Sequence, residues 1–468
     1  MPLVVGVDSS TSACKVEVRD ADTGDLVSSG RAPHPSTTPP RSEQHPADWW
    51  SAFEAACHRA GVHDRHRPAA IAVAGQQHGL VVLDDRGDVV RPAKLWNDTE
   101  SAADADALVA ALGAAAWAEA CGSVPRASFT ITKLRWLAGH EPDAFRRVAT
   151  VLLPHDWLTL QLTGRATTDR GDASGTGWWS PGEERYRSDL LALVDDGVDW
   201  DRALPEVLGP TDAAGDWAGA IVAPGTGDNM AAALGLGLGP GALALSLGTS
   251  GTAFCVSGRP TADPTGDVAG FADATGRFLP LVCTLNATKV TDTVGRLLGV
   301  DGPGLDALAQ QAPPGAGGLV LVPHLDGERT PDRPGATGTI TGLRSDATRE
   351  QLARAAVEGV VCNLLDAADR LPSSDGGGDP IHLVGGGARG RAYRQAVADL
   401  ARRPVVVPDD DELVARGAAL QAAATLAGAT LDATVQAWGP IKGTTIEPDP
   451  TVDREAIRAR YAEVAGTI

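Results

Sequence analysis

Two short apolar runs open the chain, "LVVGVD" from Leu3 and "KVEVRD" from Lys15, joined by the small polar stretch "SSTSAC". β-Branched runs of this length bounded by small polar residues predict the two strands of a hairpin, and "DADTGDLV" adds a second turn and a third strand. The same plan returns far along the chain, where the apolar strand "GALALSLGTSG" ends in a small-residue turn and "TAFCVSG" follows. Thr11-Ser12 and Thr249-Ser250 therefore occupy matching turns. That internal symmetry predicts two similar lobes, each beginning with a β-hairpin whose turn faces a shared cleft.

Between the hairpins, "AADADALVAALGAAAWAEACG" and "KLRWLAGHEPDAFRRV" carry helical spacing, while "AAIAVAG" and "RVATVLLPHDWL" read as buried strands running into loops. In the second half, "TREQLARAAVEGVVCNLLDAADRL" is an amphipathic helix starting after Thr348, and "PIHLVGGGARGRAYRQAVADLARRP" reads strand, glycine turn, helix. Strands alternating with helices in both halves predict an α/β protein. The seam is expected within the glycine-rich "GLGLGPG" (235–241), giving lobes of residues 1–236 and 237–468. "SSDGGGD" (373–379) reads as a surface loop.

A chain of 468 residues is long enough for two such lobes. Its 43 % hydrophobic and 21 % charged content is that of a globular protein. The net charge of −20 argues against nucleic acid or an anionic membrane as partner, because both are bound through an excess of Lys and Arg. A nucleotide would need local help from backbone donors, a few basic groups or a metal. No basic-then-apolar leader opens the sequence and no long apolar run follows, so a cytoplasmic location is expected. The six cysteines form no C-x-x-C pair and read as buried free thiols.

The candidate chemistry gathers at strand ends. Turns of the "SSTS" and "GTSG" type leave consecutive N–H groups available for an anion. Asp8 stands beside the first turn, where it either caps the turn or shares a Mg²⁺ with a phosphate. "HLVGGGARGRAY" brings backbone close to a helix N-terminus, where a phosphate or an adenosine could rest; an ordinary tight turn is the other reading. It lacks the G-x-G-x-x-G spacing of a dinucleotide fingerprint. Gln77 and His78 leave a strand at its carboxyl end, and "KLWNDTES" offers Trp96, Asn97 and Asp98 at a similar level, a set suited to a polyol. Asp228, in "APGTGDNMAAALGLG", is a lone carboxylate in a run of small residues that would repel a phosphate laid against it.

These pieces resemble the FGGY family of carbohydrate kinases, and within it the xylulokinase branch. "SFTITKLRWLAGH" is similar to the family's first signature, with Gly139 where a polar residue is usual, and "GTITGLRSDATREQLARAAVE" fits the second. "GQQHG", "LWND", "TDRGDASGTGWW", "GDNMAAA", "SLGTSG", "GERTP" and "GGGARG" follow in the family's order. The resemblance implies two ribonuclease-H-like lobes of the actin and hexokinase type around a central cleft, and an ATP- and Mg²⁺-dependent kinase acting on the 5-hydroxyl of D-xylulose. It implies that Asp228 is the catalytic base and Asp8 the residue near Mg²⁺. Gln77, His78, Trp96 and Asn229, with Asp228, match the sugar-contacting set. Thr11, Ser12 and Lys15 match the first lobe's phosphate contacts, Gly248 and Thr249 those of the second, and Gly386 and Gly387 the nucleoside contacts. The family's members are often dimers, so a homodimer is the expectation that comes with it. Two positions depart from the pattern: Ser10 replaces a usual Gly, and Gln77 a residue that is often apolar. Other polyols, ribulose or gluconate among them, stand beside xylulose as substrates, and a catalytically idle sugar or nucleotide sensor is the alternative from another class.

Overall fold

The computed structural model describes residues 2–372 and 379–467; the loop expected at 373–379 lies outside them apart from Asp379. The described residues form two compact units. The first holds residues 1–238, 258–279 and 412–440, the second 239–257, 280–411 and 441–468. Residues 258–279 and 412–440, numbered within the second expected half, pack into the first unit.

The first unit is built on strands β1 (Leu3–Ser9), β2 (Ala13–Asp20), β3 (Leu26–Pro33), β4 (Ala70–Gly75), β5 (Gly215–Trp217), β6 (Ala220–Val222) and β7 (Thr226–Gly227). They form one mixed sheet in the order β5-β6-β4-β1-β2-β3, with β7 also pairing β4. The meander read from the sequence is present: β1 and β2 pair antiparallel with Asp8 opposite Lys15, and β3 continues antiparallel on β2. β4 pairs parallel with β1. Both faces of β1 are covered, which is why its apolar residues run on rather than alternate.

Helix α1 (Pro46–Ala60) lays Trp49 and Phe53 into a core with Val5, Val16 and Ile71. Helix α2 (Thr130–His140) carries the "TITKLRW" stretch. In "RVATVLLPHDWL" the strand covers only Thr150–Leu152 and gives way to helix α3 (Pro154–Thr163), not to a loop. The reason is local. Pro154 suits the first helical position, and Asp156 accepts from Leu153 N–H at 2.8 Å, closing the helix start.

Helix α4 (Asp228–Leu236) begins on Asp228 itself. In the second unit, β8 (Leu243–Leu247), β9 (Gly251–Cys255), β10 (Phe278–Thr284), β11 (Ile381–Val384), β12 (Val405–Pro408) and β13 (Gly443–Ile446) lie in the order β10-β9-β8-β11-β12-β13. β8 and β9 form an antiparallel hairpin and β11 pairs parallel with β8, the arrangement that β1, β2 and β4 have in the first unit. Helices α5 (Thr288–Leu298), α6 (Arg349–Ala368) and α7 (Arg391–Ala401) complete this unit. α6 starts after Thr348, whose hydroxyl accepts from Gln351 N–H while the Gln351 side chain accepts from Thr348 N–H.

The chain then returns to the first unit as α8 (Leu413–Ala427). Glycines set its closeness: a Cβ on Gly6 of β1 would run into Ala415 O, and one on Gly417 into Ala231 O of α4. None of the six cysteines is in a disulfide; five are buried and Cys283 is half-buried. No helix among the described residues is long and apolar enough to cross a membrane.

Candidate active site

Asp228 is the first residue of α4, with Gly227 before it in extended conformation. Its Oδ1 accepts from Asn229 N–H at 2.8 Å and from Asn229 Nδ2 at 3.0 Å. Among the described residues its Oδ2 accepts no hydrogen bond. Two influences oppose each other here. The helix N-terminus favours the carboxylate. Burial, then the charges of Asp8 and Asp172, favour the protonated form, and they prevail: the pKa is pushed up to about 7.

Asn229 also donates from Nδ2 to Gln77 Oε1 at 2.8 Å. Asp228, Asn229 and Gln77 are therefore one hydrogen-bonded row, and the buried Gln77 Nε2 ends it with no partner among the described residues. A buried amide N–H without a partner is costly, and a ligand oxygen would satisfy it. A Cβ on Gly227 would strike Gln77 Cγ at 2.7 Å, so the close passage of the Asp228 segment past Gln77 requires that glycine.

His78 has a positive φ of 66°, uncommon for a residue with a side chain. Its Nδ1 donates to Gly175 O at 2.7 Å, and because a carbonyl only accepts, Nδ1 carries the hydrogen. The ring stacks on Phe129 with centroids 5.0 Å apart. Trp96 keeps 42 % of its surface exposed, an aromatic face on offer, while its Nε1 donates to Thr11 Oγ1 at 2.9 Å. Thr11 in turn donates to Gln76 Oε1 at 3.0 Å, linking the first turn to the segment that carries Gln77 and His78.

Asp98, placed beside Trp96 in the sequence reading, is turned away. It accepts from Lys94 Nζ at 3.2 Å and from Ser42 N–H at 2.8 Å. Glu43, Asp98 and Glu100 converge closely enough to suit a metal, yet the buried Lys94 ammonium pairs with all three and supplies the positive charge.

At the first turn Lys15 Nζ pairs with Asp8 Oδ2 at 3.2 Å and Glu412 Oε2 at 2.6 Å. Ser10, where glycine is usual, needs no positive φ; its hydroxyl donates to Ala13 O at 2.9 Å and tightens the turn. Ser12 is exposed in that turn. Asp8 Oδ1 is buried without a hydrogen-bond partner among the described residues. Burial raises the Asp8 carboxyl to about 6 against the pull of Lys15. A bare carboxylate oxygen held in a site that disfavours its charge is a donor that fits a hard divalent cation such as Mg²⁺.

In the second unit a cavity of about 470 Å³ is lined by Thr288, Asp292, Pro303, Gly386, Gly387 and Tyr393 among others. A Cβ on Gly387 would strike Leu247 and Thr288, whereas one on Gly386 would meet nothing, so Gly386 borders open space. Gly248 and Thr249 form the β8–β9 turn, where Gly248 O accepts from Thr288 N–H at 2.9 Å and Thr249 O from Ala287 N–H at 3.1 Å. The structure thus groups Asp8, Thr11, Lys15, Gln77, His78, Trp96, Asp228 and Asn229 in the first unit, and Gly248, Thr249, Gly386 and Gly387 in the second.

Comparison with known proteins adds the lineage. The model of the N-terminal domain of the FGGY family of carbohydrate kinases matches residues 3–235, and that of its C-terminal domain residues 243–426. This chain belongs to the FGGY family of carbohydrate kinases. It is 50 % identical over 468 residues to the xylulose kinase of Streptomyces coelicolor, covering 97 % of this chain and 95 % of that one. It is 49 % identical over 470 residues to that of Streptomyces rubiginosus, again 97 % and 95 %. The crystal structure of xylulose kinase from Bifidobacterium adolescentis superposes with a TM-score of 0.87 at 41 % identity, covering 99 % of both chains. The FGGY chain described here therefore has the family's two-domain, actin- and hexokinase-like α/β fold. It is a phosphotransferase with an alcohol group as acceptor and ATP as the other substrate.

Sequence reasoning passed over His155, Asp169 and Asp172. The three are buried together behind this site, with His155 Nδ1 2.7 Å from Asp172 Oδ2. "LLPHDWL" reads as strand and loop from its apolar run alone, and the acids of "TDRGDASG" carry no local sign of their partner; a helix starting at Pro154 is the signal that places His155 on its first turn.

Proposed function

We propose that this FGGY kinase transfers the γ-phosphoryl group of ATP to the 5-hydroxyl of D-xylulose, with Asp228 as the base. The observation that carries the reading is the Asp228–Asn229–Gln77 row, which ends in a buried amide N–H that has no partner among the described residues. The Streptomyces relatives, named xylulose kinases at about half identity over nearly the whole chain, support the same sugar.

Asn229 holds Asp228 Oδ1, so Oδ2 takes the proton from the attacking hydroxyl. With its pKa about 7 the carboxyl is basic enough to accept that proton and is ionised often enough to act near neutral pH. Gln77 Nε2 and the His78 ring bind and orient sugar hydroxyls, and Trp96 covers the carbon chain. Phosphoryl transfer asks the protein mainly for placement and for relief of charge, so a fixed carboxylate and a fixed sugar suffice on this side.

On the nucleotide side, Gly386 and Gly387 give the nucleoside a surface without side chains, and Gly248 and Thr249 offer backbone to the phosphates, as Thr11, Ser12 and Lys15 do in the first unit. Asp8 would hold Mg²⁺ through its unpartnered oxygen. When bound, that ion offsets the charge of the triphosphate. Asp8→Asn should raise the Mg²⁺ concentration needed for half-maximal rate by about tenfold, read in a metal titration of initial rates. The free thiols agree with a reducing, cytoplasmic setting, and the family's habit supports a homodimer.

A second sugar, ribulose, gluconate or another polyol, draws its support from Gln77, whose amide would reward a hydroxyl pattern that an apolar residue would not. A coupled ATP-consumption assay over these sugars separates the readings. D-xylulose should be among the best substrates by kcat/KM; if it is not, the proposed sugar is wrong and another polyol takes its place.

A further inference from the structure

Beneath the base and the sugar-facing histidine lies a buried charge cluster that the phosphoryl transfer itself does not use. His155, on the first turn of α3, is completely buried. Its Nδ1 donates to Asp172 Oδ2 at 2.7 Å. Its Nε2 lies 3.3 Å from Asp156 Oδ1 and 3.8 Å from Asp169 Oδ1, near enough for charge. All three aspartates are buried too. Burial pulls the imidazole toward its neutral form, but the carboxylates outweigh it and its pKa is pushed up to about 9. Two glycines cut the space to the ring: a Cβ on Gly75 would strike His155 Cβ at 2.9 Å, and one on Gly225 would strike Cδ2 at 2.8 Å.

The acids reach outward from this cation to both working segments. Asp169 Oδ2 accepts from Thr226 Oγ1 at 2.7 Å, two residues before Asp228, and Asp169 also accepts from Gly171 and Asp172 N–H at 2.8 and 3.0 Å. Asp172 O accepts from Gly175 N–H at 2.9 Å, and Gly175 O is the acceptor for His78 Nδ1. Asp156 Oδ2 closes the start of α3 and so fixes His155 in turn. The left-handed backbone of His78 is a conformation its surroundings must impose.

We propose that His155 is a positioning residue, which through Asp169 and Asp172 clamps the segment that delivers Asp228 and the segment that orients His78, keeping base and sugar-contacting ring at a fixed spacing. The inference rests on the roles given above to Asp228 and His78. Its physical basis is the cost of leaving buried charges uncompensated: without the imidazolium, three carboxylates share a site of low dielectric and must take up protons or move apart. Either outcome shifts Thr226 or Gly175, and a shift of about 1 Å at a reacting group costs about a hundredfold in rate.

The test is a double-mutant cycle on the full-length chain, with His155→Gln, Asp172→Asn and the pair together. It is assayed with whichever sugar the panel above finds best, so a wrong sugar leaves the test intact. His155→Gln should lower kcat/KM for the sugar by about 10- to 100-fold while KM for ATP stays within about twofold. The double variant should lose no more than about twofold beyond His155→Gln, because the two act as one unit. Wild-type kcat/KM in folded His155→Gln, or losses that simply multiply, would overturn the proposal. So would an equal rise in KM for ATP, which marks general loosening. Should His155→Gln fail to fold, the double variant replaces two opposite charges by two amides and is read alone: impaired sugar turnover with normal KM for ATP supports the clamp, and wild-type turnover refutes it. In the wild-type protein the ¹⁵N shifts of His155 at pH 8 should be those of an imidazolium, and a neutral ring there overturns the proposal as well.

Discussion

Asp228, the proposed base, stands in a site that does not favour its charge. The carboxyl is raised to about 7 first by burial and then by its acidic neighbours, so the folded protein bears a cost whenever Asp228 is ionised. A folded pKa above the unfolded value means stability that is present below about pH 4 and is lost as pH rises through 7. Asp228→Asn removes the charge and keeps the shape. Its kcat should fall by about a thousandfold, with sugar affinity by calorimetry within a few fold of wild type. The same variant should melt a few degrees higher than wild type at pH 8, and the gain should vanish by pH 4. An unchanged difference in Tm across that range would assign the cost to something other than the Asp228 charge. Asp228 and Gln77 were marked in the sequence by their own short motifs and Asn229 by the family resemblance alone, whereas the hydrogen-bonded row they form appeared only in the structure. His155 was not legible, because its meaning depends on Asp169 and Asp172, which come near it only when α3 and the residues from Asp169 to Asp172 have folded.

Among the elements, the strands of both hairpins and the helix after Thr348 could be read directly, since apolar runs, turn residues and a capping box are local signals. The Thr348 and Gln351 pair is the capping box in full, and Thr348→Ala should cost about 1 kcal/mol, measured as a lower urea midpoint with unchanged slope. The stretch from Arg147 to Leu158 reads as a buried strand running into a loop because seven of its residues are apolar in near succession, and periodicity alone cannot separate a short buried strand from the start of a buried helix. Pro154 decides it. The contact between α4 and α8 was not readable at all. It depends on Gly417 and Gly235 facing backbone of the opposite helix, and nothing local marks those glycines. Gly417→Val should destabilise by about 3 kcal/mol or more by overpacking that crossing, and should lower kcat as well because α4 carries Asp228. Lost stability with an intact kcat at low temperature would separate the helix contact from the base.

For the molecule as a whole, the residues assigned to sugar and to nucleoside fall in different compact units, and substitutions should divide the same way. Gly386 borders open space in its cavity, so Gly386→Val places a side chain where no protein atom objects and where adenosine would rest. KM for ATP should rise by at least tenfold with Tm and sugar affinity near wild type; a raised KM for the sugar alone would move the nucleoside elsewhere. The acidic balance of −20 argues against polyanionic partners and points to no particular ligand, as expected of a property that averages over the surface.

By itself the sequence determined the local elements, the two repeated hairpins and the family, because turn chemistry, apolar runs and motif order are written in neighbouring residues. Only the tertiary structure decided that α8, after a long passage through the second unit, returns to cover β1, and that His155 sits among Asp156, Asp169 and Asp172. Those arrangements are settled by long-range packing and by the shared cost of buried charge, and both quantities exist only after distant segments have met.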